Sequence, residues 1–185
     1  MKKFILSFLL TSGFLFASEY VLDTAHSNVG FSIKHLMISN VKGNFKSFDA
    51  ELEFDEKTKT ITKLIATVDT ASVDTGIEKR DSHLRSPDFF NVEKFPAIEF
   101  SMTSIDKEYL TGNLTMYGVT KKVKLKSTVH GVIKDMQGNL RVGFTLEGDI
   151  KREDFGLTWN KMLESGGFVV GNDVKITIDI EAIEL

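Results

Sequence analysis

The chain reads as an all-β protein of one domain, an antiparallel barrel or sandwich of eight strands. Three observations predict it. Apolar and polar residues alternate with a period of two through most of the chain, which marks strands apolar on one face and wet on the other. Short turn signals separate these runs. Only one stretch departs from the alternation towards a helix, and it is brief.

The first 17 residues precede the fold. Lys2 and Lys3 form a basic start, Phe4–Phe16 is an apolar run broken only by Ser7, Thr11, Ser12 and Gly13, and Ala17 offers a small residue before polar Ser18-Glu19. This is the layout of a cleavable signal peptide, so the expected division is a signal peptide at 1–17 and a mature domain at 18–185. The run is too short for a stable membrane anchor.

The strands follow in order. Val29, Phe31 and Ile33 alternate with Gly30, Ser32 and Lys34. Two more strands lie between 41 and 69. Val41, Gly43 and Phe45 share one parity and Phe48, Ala50, Leu52 and Phe54 the other, so a bulge or bend is expected near Lys46-Ser47. Ile98, Phe100 and Met102 define the next strand, then Leu110, Leu114 and Met116, then Val123, Leu125, Ser127 and Val129. Val142, Phe144 and Leu146 form the seventh run, and Val174, Ile176, Ile178 and Ile180 the last. Turns are expected at 55–57, 106–107, Gly118 and Gln137-Gly138-Asn139. Residues 77–91 read as a short helix followed by a Ser-Pro turn, and 156–172 are irregular and glycine-bearing.

The apolar faces must point inward. Were the barrel a transmembrane one, Lys122, Lys124, Lys126, Arg141 and Glu147 would face lipid, the reverse of an outer-membrane barrel. Eight strands enclose room either for packed side chains or for one ligand. Gly43, Gly112 and Gly148 fall on the inward parity. They thin the lining of a hollow interior or relieve strain at strand bends.

Composition excludes several classes. The 185 residues are 42% hydrophobic and 26% charged, which suits a domain with a core and not a disordered chain. The net charge is −3, and loss of Lys2 and Lys3 takes Lys+Arg from 23 to 21 against 26 Asp+Glu, a net of −5. No basic excess exists to hold a nucleic acid. Cysteine is absent, so no disulfide braces the fold.

No catalytic constellation emerges. Asp23, His26 and Ser27 are close in sequence, but strand alternation sends His26 and Ser27 to opposite faces, so a strand-entry network with Asp23 on local backbone is expected. The histidines at 26, 35, 83 and 130 lack metal-ligand spacing, and no metal is expected. His35, on the inward parity, is either a satisfied core histidine or a polar contact to a ligand. Asp69, Asp74, Glu78, Asp81 and Asp88 beside Arg80 and Arg85 read as a solvated ion-pair network, with acid–base chemistry as the alternative. Lys121, Lys122, Lys124 and Lys126 form a wet face that would also attract anionic lipid head groups.

The motifs taken together resemble the YceI-like family of bacterial periplasmic, lipocalin-like proteins. The matching segments are YVLDTAHS (20–27), FSIKH (31–35), GNFKSF (43–48), DTGIEKRDSHLRSPDFF (74–90), FP (95–96), GNLTMYGVT (112–120), REDFG (152–156), WN (159–160), GG (166–167) and VKITIDIE (174–181). The R-D-x-H-L…D-F-F element is the most specific.

The resemblance implies an extended eight-stranded antiparallel β-barrel with a short capping helix near residues 78–85. It implies a non-enzymatic periplasmic carrier for a long-chain amphiphile, a polyisoprenoid, an isoprenoid quinone or a similar fatty lipid, with no covalent cofactor. Transient contact with a membrane surface is expected, and members are often homodimers. Combined with the inward parity, the lumen lining is expected to comprise Phe31, Ile33, His35, Phe45, Phe54, Phe89, Phe100, Met102, Leu114, Met116, Val142, Phe144, Leu146, Phe155, Trp159, Ile176 and Ile178. The energetics agree. At about 0.8 kcal/mol per buried methylene, two or three prenyl units contribute roughly 8–12 kcal/mol gross, part of which association offsets. Two other readings stand beside the carrier. One is a secreted enzyme acting on such a lipid through His35 or the 74–88 acidic cluster. The other is a packed structural or interaction module.

Overall fold

The computed structural model describes residues 17–164 and 166–185. The expected signal peptide lies outside the described residues except for Ala17. The strands are β1 (Ser18–Leu22), β2 (Asn28–His35), β3 (Ser39–Phe45), β4 (Phe48–Asp55), β5 (Thr60–Asp69), β6 (Val73–Asp74), β7 (Ala97–Asp106), β8 (Tyr109–Met116), β9 (Val119–Lys134), β10 (Leu140–Lys151) and β11 (Val170–Glu184). One helix, α1 (Glu78–Arg85), follows β6, and 3-10 turns cover Thr70–Ser72 and Arg152–Phe155.

These segments close into an eight-stave antiparallel barrel. β11 pairs with β2 along its first half, Val170 opposite His35 through Asp179 opposite Asn28, and with β1 along its end, Ala182 opposite Leu22. β1 and β2 are therefore one interrupted stave. β3 and β4 form the next, β3 against β2 and β4 against β1. The bend expected at Lys46-Ser47 is this second interruption. It is held by backbone: the Lys46 N–H donates to Ser72 O (3.1 Å) and the Asp69 N–H to Ser47 O (2.9 Å). Across the first interruption the Ser27 hydroxyl replaces the ladder, accepting from Glu181 N (3.0 Å) and donating to Glu181 O (3.2 Å).

The turns form where the sequence places them. Asp55 Oδ1 accepts from the Lys57 and Thr58 amides, and Asp135 Oδ1 from those of Gln137 and Asn139. Tyr117 (φ 53°) and Gly118 (φ 75°) turn β8 tightly into β9, since two positive-φ residues match the strand twist.

Burial divides the interior by height. At one end Tyr20, Leu52, Phe54, Ile61, Leu110, Leu125, Val142, Phe144, Leu146 and Ala182 pack into a solid base. At the other end are two smaller clusters. One holds Leu114, Met116, Phe155 and Leu157, the other Phe45, Val68 and Val73 with Leu84 and Phe90 against it. α1 caps this second end. Eight residues are too few to hold a helix alone, and polar lacing fixes it. Buried Asp81 accepts from the Thr75 amide (2.9 Å) and hydroxyl, and Arg80 donates to Thr75 Oγ1 (2.6 Å) and Thr75 O (2.8 Å).

The inward glycines serve as seats for neighbouring side chains. A Cβ on Gly43 would lie 2.5 Å from the Phe31 ring, and one on Gly148 would lie 2.6 Å from Leu125 Cδ2. One on Gly112 would collide with the Phe100 ring. Phe31 stands directly opposite Gly43 in the ladder. Each glycine thus lets a bulky neighbour lie across the sheet, a role distinct from thinning the lining or relieving a bend.

The lumen as candidate site

Between base and cap the barrel holds a cavity of about 350 Å³, inside the roughly 300–1,000 Å³ span of small-molecule sites. Its wall is almost wholly aliphatic and aromatic. Of the lining expected from sequence, the structure brings Phe31, Ile33, His35, Phe45, Phe89, Phe100, Leu114, Met116, Phe144, Leu146, Trp159, Ile176 and Ile178 to this cavity.

Four expected residues lie elsewhere. Phe54 (0% exposed) and Val142 (1%) point inward but belong to the packed base, below the cavity floor. Met102 packs against the same base, beside the register shift in β7. Parity tells in from out but says nothing of height along the barrel. Phe155 comes from the 3-10 turn after β10 and fills the cluster of Leu114, Met116 and Leu157, behind the lining.

Sequence reasoning missed other lining residues. Ala50, Leu64, Ala66, Val68, Val123 and Ile150 line the cavity; their strand parity was a usable signal. The polar lining gave no periodic signal. Arg80, His83 and Arg152 reach the cavity, and exposed Lys34 and Asp49 border it, Asp49 being the single acid among the described lining residues. Arg80, His83 and Arg152 come from α1 and the 3-10 turn, outside any strand pattern.

These groups gather towards the capped end. The His83 ring stands edge-on to Phe89 (5.0 Å) and Trp159 (4.9 Å), and Nε2 pairs with Asp88 Oδ2 at 2.8 Å. His35 sits at the end of β2 opposite Val170, which also lines the cavity. Its ring makes no hydrogen bond among the described residues, so it is not a satisfied core histidine. Arg152 is 3% exposed. Its Nε donates to Gly171 O (2.8 Å) and its Nη1 to Leu157 O. Burial pulls its pKa below the ordinary arginine value, with Glu153 opposing.

The strand-entry network expected around Asp23 is present and larger than the sequence suggests. Asp23 accepts from the Ala25 amide and pairs with His26 Nδ1 (3.0 Å). Arg141 then bridges Asp23 (2.7 Å), Asp135 (2.8 Å) and Glu181 (2.7 Å). The guanidinium holds the Asp23 and Asp135 carboxyls down at about 2. Asp23, His26 and Glu181 bring ligating atoms within 4.8 Å of one another, but Arg141 Nη1 already bonds both carboxylates. The cluster clasps the interrupted first stave to β10 and β11, away from the cavity.

Comparison with known proteins gives a consistent result. The model of a family described as the YceI-like domain matches residues 20–182. Protein YceI of Salmonella newport is 41% identical over 195 residues, spanning 100% of this chain and 99% of the relative. The crystal structure of the Campylobacter jejuni YCEI protein superposes with a TM-score of 0.73 at 41% identity, covering 90% of this chain and 98% of that one. Two more distant structures share the fold. Burkholderia cenocepacia BcnA has a TM-score of 0.73 at 23% identity, covering 86% and 98%. A polyisoprenoid binding domain from Saccharophagus degradans has 0.67 at 15% identity, covering 92% and 100%.

Proposed function

The chain belongs to the YceI-like family, and from that premise we propose that it is a non-enzymatic periplasmic carrier of a long-chain lipid, an isoprenoid or similar amphiphile held in the lumen. The cavity carries the reading. An apolar chain gains free energy from each methylene removed from water, without directional contacts. A wall of Phe, Leu, Val and Ile closed below by a packed base suits such a chain. The polyisoprenoid binding domain from Saccharophagus degradans shares the barrel. Binding is favoured over turnover because the lining is aliphatic and aromatic apart from a few ionisable groups, and an apolar chain is held by such a wall without directional contacts. Residues 1–17, with their basic start and apolar run, support export.

The test is organic extraction of the native protein from the periplasmic fraction, with mass spectrometry of lipid and chain. The expected result is a stoichiometric long-chain lipid and a polypeptide beginning near Ser18. Protein without lipid would overturn the carrier reading. An intact Met1 chain in the cytoplasm would overturn export.

We also propose that the capped end touches the membrane to load and unload. The β2–β3 turn leaves Met37 (58% exposed) and Ile38 (84%) in solvent. Met162 (80%) and Phe168 (51%), bridged to each other, stand on the adjoining loop. The Leu36 N–H donates to Val169 O, and Val169 lines the cavity, so this apolar tip adjoins the lumen. Exposed Lys34 and Lys161 flank it, as an anionic surface requires. Wild-type protein should co-float with vesicles containing anionic lipid, and Ile38→Asp with Phe168→Asp should reduce flotation several-fold at unchanged Tm. Equal flotation by the double variant would refute tip docking.

A further inference from the structure

We infer that Met37 and Met162 form a reversible oxidation site, at which a peroxide makes the apolar tip polar and releases the protein from the membrane surface. The inference rests on the docking reading of that tip and adds its regulation.

The first observation is which sulfurs the fold exposes. The chain has no cysteine, so methionine is its only sulfur residue. Met116 is buried, and Met102 packs against the base. Met37 and Met162 stand in solvent. So does Met136 (99% exposed), but it lies in the turn between β9 and β10, at the base end where Val132 and Leu140 pack. Susceptibility to oxidation follows exposure, so these three thioethers react first.

The second observation is that two of the three share one small surface. Met37 Cγ lies against Gly167, where a Cβ would be 3.5 Å from it. Gly167 precedes Phe168, which bridges to Met162, and the Leu163 N–H donates to Gly167 O (3.0 Å). Two loops thus build the tip, and each contributes one thioether. Met37 also stands at φ 64°, after Leu36 at φ 50°. Glycine or asparagine fills such left-handed positions with less strain, so an apolar side chain held there points to a use for the side chain itself. Ile38 and Phe168, the other exposed apolar groups of the tip, do not react with peroxides. Each thioether takes one oxygen atom from a peroxide: the S–O bond forms, the O–O bond breaks, sulfur loses two electrons and the peroxide leaves as water. The sulfoxide is a polar acceptor that must shed water to enter a bilayer, so burial of the tip turns from favourable to costly.

The experiment treats the purified mature protein with hydrogen peroxide and maps the added oxygen by peptide mass spectrometry. Flotation with vesicles of phosphatidylethanolamine and phosphatidylglycerol is then compared with the untreated sample of the same variant. Wild-type protein should gain oxygen at Met37, Met136 and Met162 before Met102 or Met116. It should lose flotation several-fold at unchanged Tm, and recover it with methionine sulfoxide reductases acting on both epimers. Met136→Leu should lose flotation on treatment as wild type does. The Met37→Leu, Met162→Leu variant should show no change on treatment, whatever its untreated level. Flotation unaffected by oxidation of both residues, or lost equally in the Met37→Leu, Met162→Leu variant, would overturn the inference and leave tip docking standing. Protection of Met37 and Met162 at peroxide levels that oxidise Met136 would overturn it as well. If untreated wild-type protein fails to float, tip docking falls and the inference with it.

Discussion

Ala66→Trp is expected to empty the lumen and leave the barrel standing. Ala66 lies on β5 between Ala50 of β4 and Phe100 of β7, and all three line the cavity. Ala50 and Ala66, side by side, leave the wall thin here. An indole here extends into open space and not into packed atoms, so the 1–3 kcal/mol typical of overpacking does not arise. It takes volume from a cavity of only about 350 Å³. Lipid recovered per mole should fall at least ten-fold, while the denaturation midpoint of the delipidated protein stays close to wild type. Thr67→Trp is the control: it is the next residue on the same strand and is exposed on the outer face. Full lipid content in Ala66→Trp would mean that the lipid lies elsewhere. Loss from Thr67→Trp alone would mean that the faces of β5 are reversed.

What the sequence made legible follows from what period two encodes. Alternation assigns each strand residue to the inside or outside, and Phe31, Phe144, Leu146 and Ile178 all lie inside. It cannot encode height, because height depends on stagger between staves. Phe54 and Val142 therefore look the same in sequence as Phe31 and Ile33, although one pair closes the base and the other lines the cavity. The glycines mislead for a related reason. Gly112 reads as missing volume, but the volume is supplied by Phe100 from the neighbouring strand. The polar end was least legible. Arg80 and His83 belong to a helix held by Thr75 and Asp81, and Arg152 to a 3-10 turn ended by Gly156 in the left-handed region. In the sequence only the RDxHL and REDFG segments marked them, by resemblance and not by spacing. Arg141 looked like one polar residue on a wet strand face, and only tertiary structure brings Asp23, Asp135 and Glu181 around it.

Phe54→Ala is expected to do the opposite of Ala66→Trp, lowering stability while sparing the lipid. Phe54 is fully buried and meets Tyr20 edge-on, with ring centroids 6.0 Å apart. Its neighbours Ile61, Leu110 and Ala182 are equally inaccessible. They belong to the paired strands β5, β8 and β11, so the base cannot collapse into the space without shifting several ladders. Truncation of such a phenylalanine costs about 3–5 kcal/mol, or a fall in Tm of about 6–20 °C for a chain of this length. The protein that remains folded should retain its lipid, because Phe54 lies below the cavity floor. Val142→Trp tests the same region from the other side. The base has no room for an indole, so it should lose about 1–3 kcal/mol or more through overpacking. If the base were instead an extension of the lumen, Phe54→Ala would enlarge the site and accept a longer lipid, and Val142→Trp would displace lipid at little cost in stability. Tm and extracted lipid measured on both variants therefore locate the floor of the cavity, with stability loss in both and lipid loss in neither as the outcome a solid base requires.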